Sequence, residues 1–134
     1  MTNAVDIPVS ETMTRTLVTV DSSATLGDAA KLMHEHKIGA ALILEGGRLR
    51  GILTERDVLA AVAAGGVEAS SVADCMTPHP ETIEPSDSTA HAAVLMIHGG
   101  FRHLPVTEDE RVVGMLSMRD LVRVAIVDEA PRGV

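Results

Sequence analysis

The chain has 134 residues and a formal net charge of −8, which allows one compact domain or two small interdependent units and disfavours phosphate polymers and anionic membranes as partners. Hydrophobic residues make up 46% of it, but there is one Phe and no Trp or Tyr, so the core is aliphatic and platforms for stacking nucleic-acid bases are missing. A single cysteine excludes an internal disulfide and fits a reducing compartment, and with no leader-like start and no apolar run of the ~18–20 residues that span a bilayer, a cytoplasmic protein is expected.

In chain order, "LVTVD" (17–21) reads as a short strand, and the Ser and Thr residues after it suit a helix N-cap. Leu26, Ala29, Ala30 and Met33 recur at helical spacing and predict a helix from Leu26 to about His36. Residues 40–44 and 49–53 read as strands joined by the turn "EGGR". A second helix is predicted from Thr54 or Glu55 to the glycines at 65–66. A connecting stretch covers 65–75, with 65–71 as the linker proper. Then the order repeats: strand 80–83, helix 89–98, strands 103–107 and 112–116, helix 118–127, and a polar tail over 128–134.

The repetition is in the residues as well as the pattern. Offset by 63 and without a gap, Met13–Asp57 and Met76–Asp120 share 14 identities in 45 pairs. Two β-α-β-β-α units, 9–64 and 72–127, are the economical reading, since ~60 residues alone make a marginal domain. Met13 and Met76 occupy matching positions and are expected to fill equivalent pockets. Met33, Met96, Met115 and Met118 read as adaptable core filler, and "TEDE" at 107–110 as a solvated hairpin tip.

The chemistry concentrates in "GILTERD" (51–57) and "GMLSMRD" (114–120). A hydroxyl followed three residues later by an acid is the pattern of a capping box, and an acid in the first turn suits the helix dipole. The same arrangement can also hold a ligand: the glycine permits close approach, free N–H groups attract phosphate, and Arg56 or Arg119 adds a cation. The carboxylate could then accept from a diol such as ribose. Other candidates are weaker. His34 and His36 face different ways on their helix, His91 and His98 lack further ligands, and Cys75 with His79 is at best a pair, so no metal site is expected. No Gly-x-Ser-x-Gly elbow, complete P-loop or His-Glu-x-x-His is present, and no catalytic role is expected.

The duplicated unit, the "MT…V-T-V" opening, "RHLPV" and the glycine–hydroxyl–Asp ending together resemble a tandem pair of cystathionine β-synthase (CBS) domains, over about residues 9–127. The resemblance implies an α/β fold of two units packed sheet to sheet with pseudo-twofold symmetry, and two clefts that bind AMP, ADP, ATP or S-adenosylmethionine. Carried over residue by residue, Thr54, Arg56 and Asp57 would serve one cleft and Ser117, Arg119 and Asp120 the other. Leu17 and Ile38 would meet the base in the Asp120 cleft, and Pro80 and Phe101 would do so in the Asp57 cleft. Met115 joins the Asp120 set. Arg102 and His103 would add phosphate contacts there, whereas Gly39 and Ala40 fill those positions in the first unit, so the Asp120 cleft is expected to be the phosphate binder. The expected function is a non-catalytic nucleotide sensor that needs no cofactor, forms a homodimer and acts on a partner protein. The alternative is an assembly module without a ligand; nucleic acid is disfavoured by charge and by the missing aromatics.

Overall fold

A computed structural model describes residues 7–129, with side chains to 126; residues 1–6, read for a leader, and 130–134, read as tail, lie outside them. The chain is a mixed α/β protein, and its described residues divide into two compact bodies. One is Thr16–Pro80; the other joins 7–15 to 81–129.

In the 16–80 body, β1 (Thr19–Asp21) crosses over through α1 (Leu26–His36) to pair in parallel with β2 (Ala40–Glu45), and β2 turns back as an antiparallel hairpin into β3 (Arg48–Thr54). Parallel strands need such a crossover, and the helix supplies it. Ser23 donates to the Asp21 carboxylate from its hydroxyl and its N–H, holding that group below the usual carboxylate range as the chain leaves β1. Thr25 caps α1 through a reciprocal capping box with Asp28, and Lys37 in the left-handed conformation ends it. From β3 the chain enters α2 (Glu55–Ala63). The stretch read as connection contains a further turn of helix, α3 (Val72–Cys75), and then β4 (Thr77–Pro78), which pairs antiparallel with β3 at Gly51 and Ile52. The sheet order is β1-β2-β3-β4.

The other body has α4 (Thr89–Gly99), the hairpin of β5 (His103–Glu108) and β6 (Arg111–Ser117), and α5 (Met118–Glu129). The strand expected over 80–83 is not formed. Only Ile83 pairs, with Val106, because the donors of the flanking bonds in the first body, the Leu42 and Ser22 N–H groups, are replaced at this register by Pro105 and Pro85, which have no N–H to donate. That lone bridge still sits at the register of Val20 with Ile43 in the first body, 63 residues earlier. Likewise Thr14 bridges Met115 where Thr77 pairs with Ile52. A 3-10 turn at Val9–Glu11 stands at the register of α3.

Each repeat therefore gives its opening segment, a helical turn and "MT", to the body built from the rest of the other repeat. Val72 is fully buried with Val20, Ala29, Met33, Ile43 and Leu53; Val9 is fully buried with Ile83, Ala92, Met96, Val106 and Leu116. Both cores are aliphatic with one buried methionine each, and Phe101 packs at the edge of the second. Met76 and Met13 fill equivalent places, each against the glycine of a motif, Gly51 and Gly114. Among the described residues, no helix is long and apolar enough to cross a membrane, and no three potential metal ligands gather.

Two repeated helix starts as the candidate functional site

Both motifs run out of the last hairpin strand into a helix, so the strand end fixes the backbone at the helix start. At the first, the Thr54 hydroxyl accepts from the Asp57 N–H (3.2 Å), and the Asp57 Oδ2 accepts from the Thr54 N–H (3.0 Å). The Thr54 hydroxyl also donates to that oxygen at 3.1 Å. At the second, the Ser117 hydroxyl accepts from the Asp120 N–H (3.1 Å), and the Asp120 Oδ2 accepts from the Ser117 N–H (2.8 Å). The capping reading of both motifs is therefore correct, and capping occupies one oxygen of each carboxylate.

The second oxygens differ. The Thr77 hydroxyl of the exchanged segment lies 3.4 Å from the Asp57 Oδ1. The Asp120 Oδ1 instead takes a guanidinium hydrogen bond from Arg123 at 3.2 Å. Asp57 is half-buried, while Asp120 is 4% exposed, the one buried carboxylate among the described residues. Arg56 and Arg119 are exposed at the first turns of their helices.

The flanking positions also diverge. The Gly39 carbonyl accepts from the Glu55 N–H and the Arg102 carbonyl from the Met118 N–H, so the two backbones coincide in register. A Cβ at Gly39 would lie 2.5 Å from the Glu55 carboxylate, so an acid fills the space beside this glycine. In the second body the same pair of positions carries Arg102, exposed, and Met118. The neighbourhood is anionic at Asp57 and cationic at Asp120.

Among the other sequence candidates, His103 and Ser117 are cross-strand partners, Met115 exchanges backbone hydrogen bonds with Thr14, and Phe101 is half-buried against the core. In the 16–80 body, Leu17 and Pro80 are half-buried. Ile38 lines an open hollow of about 500 Å³ with Met33, His34, Lys37 and Glu55. A hollow of about 610 Å³ between α1, α2 and the 66–69 loop is lined mainly by aliphatic residues, and neither hollow is lined by Asp57 or Asp120. Thr77, Glu55 and Arg123 were not candidates from the sequence. The first was signalled by the doubled "MT", and the last stands three residues after its partner on one helix face.

The family model of the CBS domain matches residues 9–64 and 72–127. The CBS domain-containing protein YhcV of Bacillus subtilis (strain 168) is 33% identical over 114 residues, covering 84% of this chain and 81% of its own. The CBS domain protein PAE2072 from Pyrobaculum aerophilum, solved complexed with AMP, superposes with a TM-score of 0.84 at 28% identity, covering 92% of this chain and 98% of its own. The CBS domain pair of protein MJ0100, solved in complex with 5'-methylthioadenosine and S-adenosyl-L-methionine, gives a TM-score of 0.83 at 27% identity over 88% of this chain and 94% of its own. Two matched units, the repeat register and these structural neighbours agree: the chain belongs to the CBS-domain family, as a tandem pair.

Proposed function

We propose that this chain is a non-catalytic regulatory module, with no required cofactor, that binds an adenosyl compound at the Asp120 helix start and acts in the cytoplasm by changing a partner protein. The observation that carries the reading is a buried carboxylate held at a helix start with Arg119 and Arg102 on the same strand ends and helix turn. A carboxylate accepts from a vicinal diol, and a helix N-terminus with adjacent cations suits a phosphate. The AMP, S-adenosylmethionine and methylthioadenosine complexes of structural neighbours support the ligand class. In this reading Ser117, Arg119, Asp120, Arg102, His103 and Met115 serve the main site, with Leu17 and Ile38 meeting the base. Thr54, Arg56, Asp57, Pro80 and Phe101 form the lesser site, whose Glu55 disfavours phosphate. The functional units are the repeats 9–64 and 72–127, joined by 65–71.

Titration calorimetry with AMP, ADP, ATP, S-adenosylmethionine and NAD tests this. The expected result is micromolar binding of AMP or a close relative, lost in Asp120→Ala with the circular dichroism unchanged. Saturating ligand at about 100 times Kd should add about 2.7 kcal/mol to stability and raise the Tm. Absence of heat with every compound refutes the reading.

A second reading, a homodimeric assembly module, is favoured by a specific observation. Leu59, Val94, Ile97, Val122 and Ile126 lie exposed on the helices, with Leu59 at 70% and Ile97 at 71%. Such aliphatic surface suits association. It predicts a dimer by size exclusion that Ile97→Glu dissociates and that no nucleotide alters.

A further inference from the structure

The two carboxylates that the repeat places in register have different second partners. Asp57 is surrounded by neutral donors: the Thr54 N–H and hydroxyl and the Thr77 hydroxyl. Asp120 has one neutral donor, the Ser117 N–H on Oδ2, and the Arg123 guanidinium on Oδ1. At the register of Arg123 the first repeat carries Ala60. The pairing is thus a feature of one site only.

We propose that Arg123 is a latch on Asp120: its guanidinium occupies the carboxylate oxygen that a ligand's ribose diol requires and so lowers the affinity of that site. The inference rests on the reading that Asp120 accepts the diol. A vicinal diol donates two hydrogen bonds, one to each carboxylate oxygen. Oδ2 is already shared with the cap, so Oδ1 is the acceptor that decides whether the second hydroxyl is satisfied. Arg123 holds it from a side chain that is 62% exposed. Release therefore returns the guanidinium to water, and a pair whose cation is solvent-exposed and screened in this way shifts an equilibrium by a factor of about two to five. The pairing is weak enough to yield to a ligand and strong enough to be measured. It is also a screened charge–charge contact, whereas a neutral nucleoside's bonds to Asp120 are not, so salt should favour the ligand over the latch.

The full chain in an Asp57→Asn background, which silences the lesser site, is titrated with the neutral nucleosides adenosine and 5'-methylthioadenosine. Sodium chloride is set at about 0.05 and 0.5 M, either side of the ~0.1 M at which the Debye length is ~10 Å. Arg123→Ala, and Arg123→Met with its longer stem, should bind nucleoside about two- to fivefold more tightly than their parent at low salt. The parent should close that gap at high salt while the variants do not move, a response that a purely structural role for Arg123 would not produce. Equal or weaker binding by both variants, with the parent still binding, overturns the latch and leaves the ligand reading intact. Binding of AMP with no nucleoside heat from Arg123→Ala overturns it too, because a freed diol acceptor should admit the nucleoside. No heat from any chain with nucleosides or AMP overturns the latch together with the reading beneath it.

Discussion

Gly51 and Gly114 open the two motifs, and their lack of a side chain invites a ligand-based explanation. The space is taken by the protein itself. A Cβ at Gly114 would come within 2.5 Å of the Met13 Sδ and 3.2 Å of the Thr14 carbonyl oxygen. At Gly51 it would meet the Met76 thioether and, at 2.8 Å, the Thr77 carbonyl oxygen. A methionine side chain can turn aside, but a paired backbone carbonyl cannot. Gly51→Ala should therefore destabilise the chain by about 1–3 kcal/mol and Gly114→Ala by less. Adding Met13→Ala should restore part of the second loss, while Met76→Ala should do little for the first. Denaturant midpoints for the four chains check both orderings. The acidic residue of each motif shows the same economy, since Asp57 and Asp120 each cap a helix with one oxygen and keep the other for a partner.

The hairpins show at the scale of elements what local sequence can and cannot specify. The β2–β3 turn places Gly46 and Gly47 at φ 59° and 80°; the β5–β6 turn puts Asp109 and Glu110 at 52° and 66°. Positive φ at both central residues is the type I′ requirement that matches strand twist. Glycine meets it without strain, whereas an L-residue there costs roughly 1–2 kcal/mol, against about 0.5–1 kcal/mol for glycine's extra chain entropy. Glu110→Gly should thus stabilise the chain by about 0.5–1 kcal/mol, and Gly47→Glu should destabilise it by a similar amount, both read from thermal midpoints. α1 and both hairpins were legible in the sequence because their signals are local: helical spacing between Leu26 and Met33, caps, and turn residues between short apolar runs. The expected strand at 80–83 failed because Pro85 and Pro105 remove the N–H donors on either side of the Ile83 bridge, and both lie outside the segment itself. β4 was illegible for the opposite reason, since a strand of two residues has no period to read. At the site, Thr54, Asp57, Ser117 and Asp120 emerged from the repeat register. Thr77 arrives on the exchanged segment and Arg123 from the next helical turn, so neither belonged to a contiguous motif.

The exchange of opening segments also decides what can fold alone. The repeat read from the sequence, 9–64, and the compact body, 16–80, share most residues but not the same core. A 9–64 chain keeps Val9, whose neighbours Ile83, Ala92, Met96 and Leu116 all lie in the later part of the sequence. It lacks Val72, fully buried in the first core, and the pairing of β4 with β3. It also loses the bonds from the Leu26 N–H to the Ser70 carbonyl (2.6 Å) and from the Val72 N–H to the Ala24 carbonyl (3.1 Å), which close the start of α1. A buried valine is worth about 2 kcal/mol, and ~60 residues bury only ~60% of their unfolded surface, so such a chain has little stability to lose. The 16–80 chain retains every one of these contacts in a single stretch. It should show a cooperative thermal transition by circular dichroism, at a lower midpoint than the full chain, while 9–64 should show none. A cooperative transition in 9–64 would mean that the opening segments are interchangeable ornaments of each repeat. Its absence, with Val72→Ala lowering the 16–80 midpoint, would mean that the second repeat's first residues complete the first body's core.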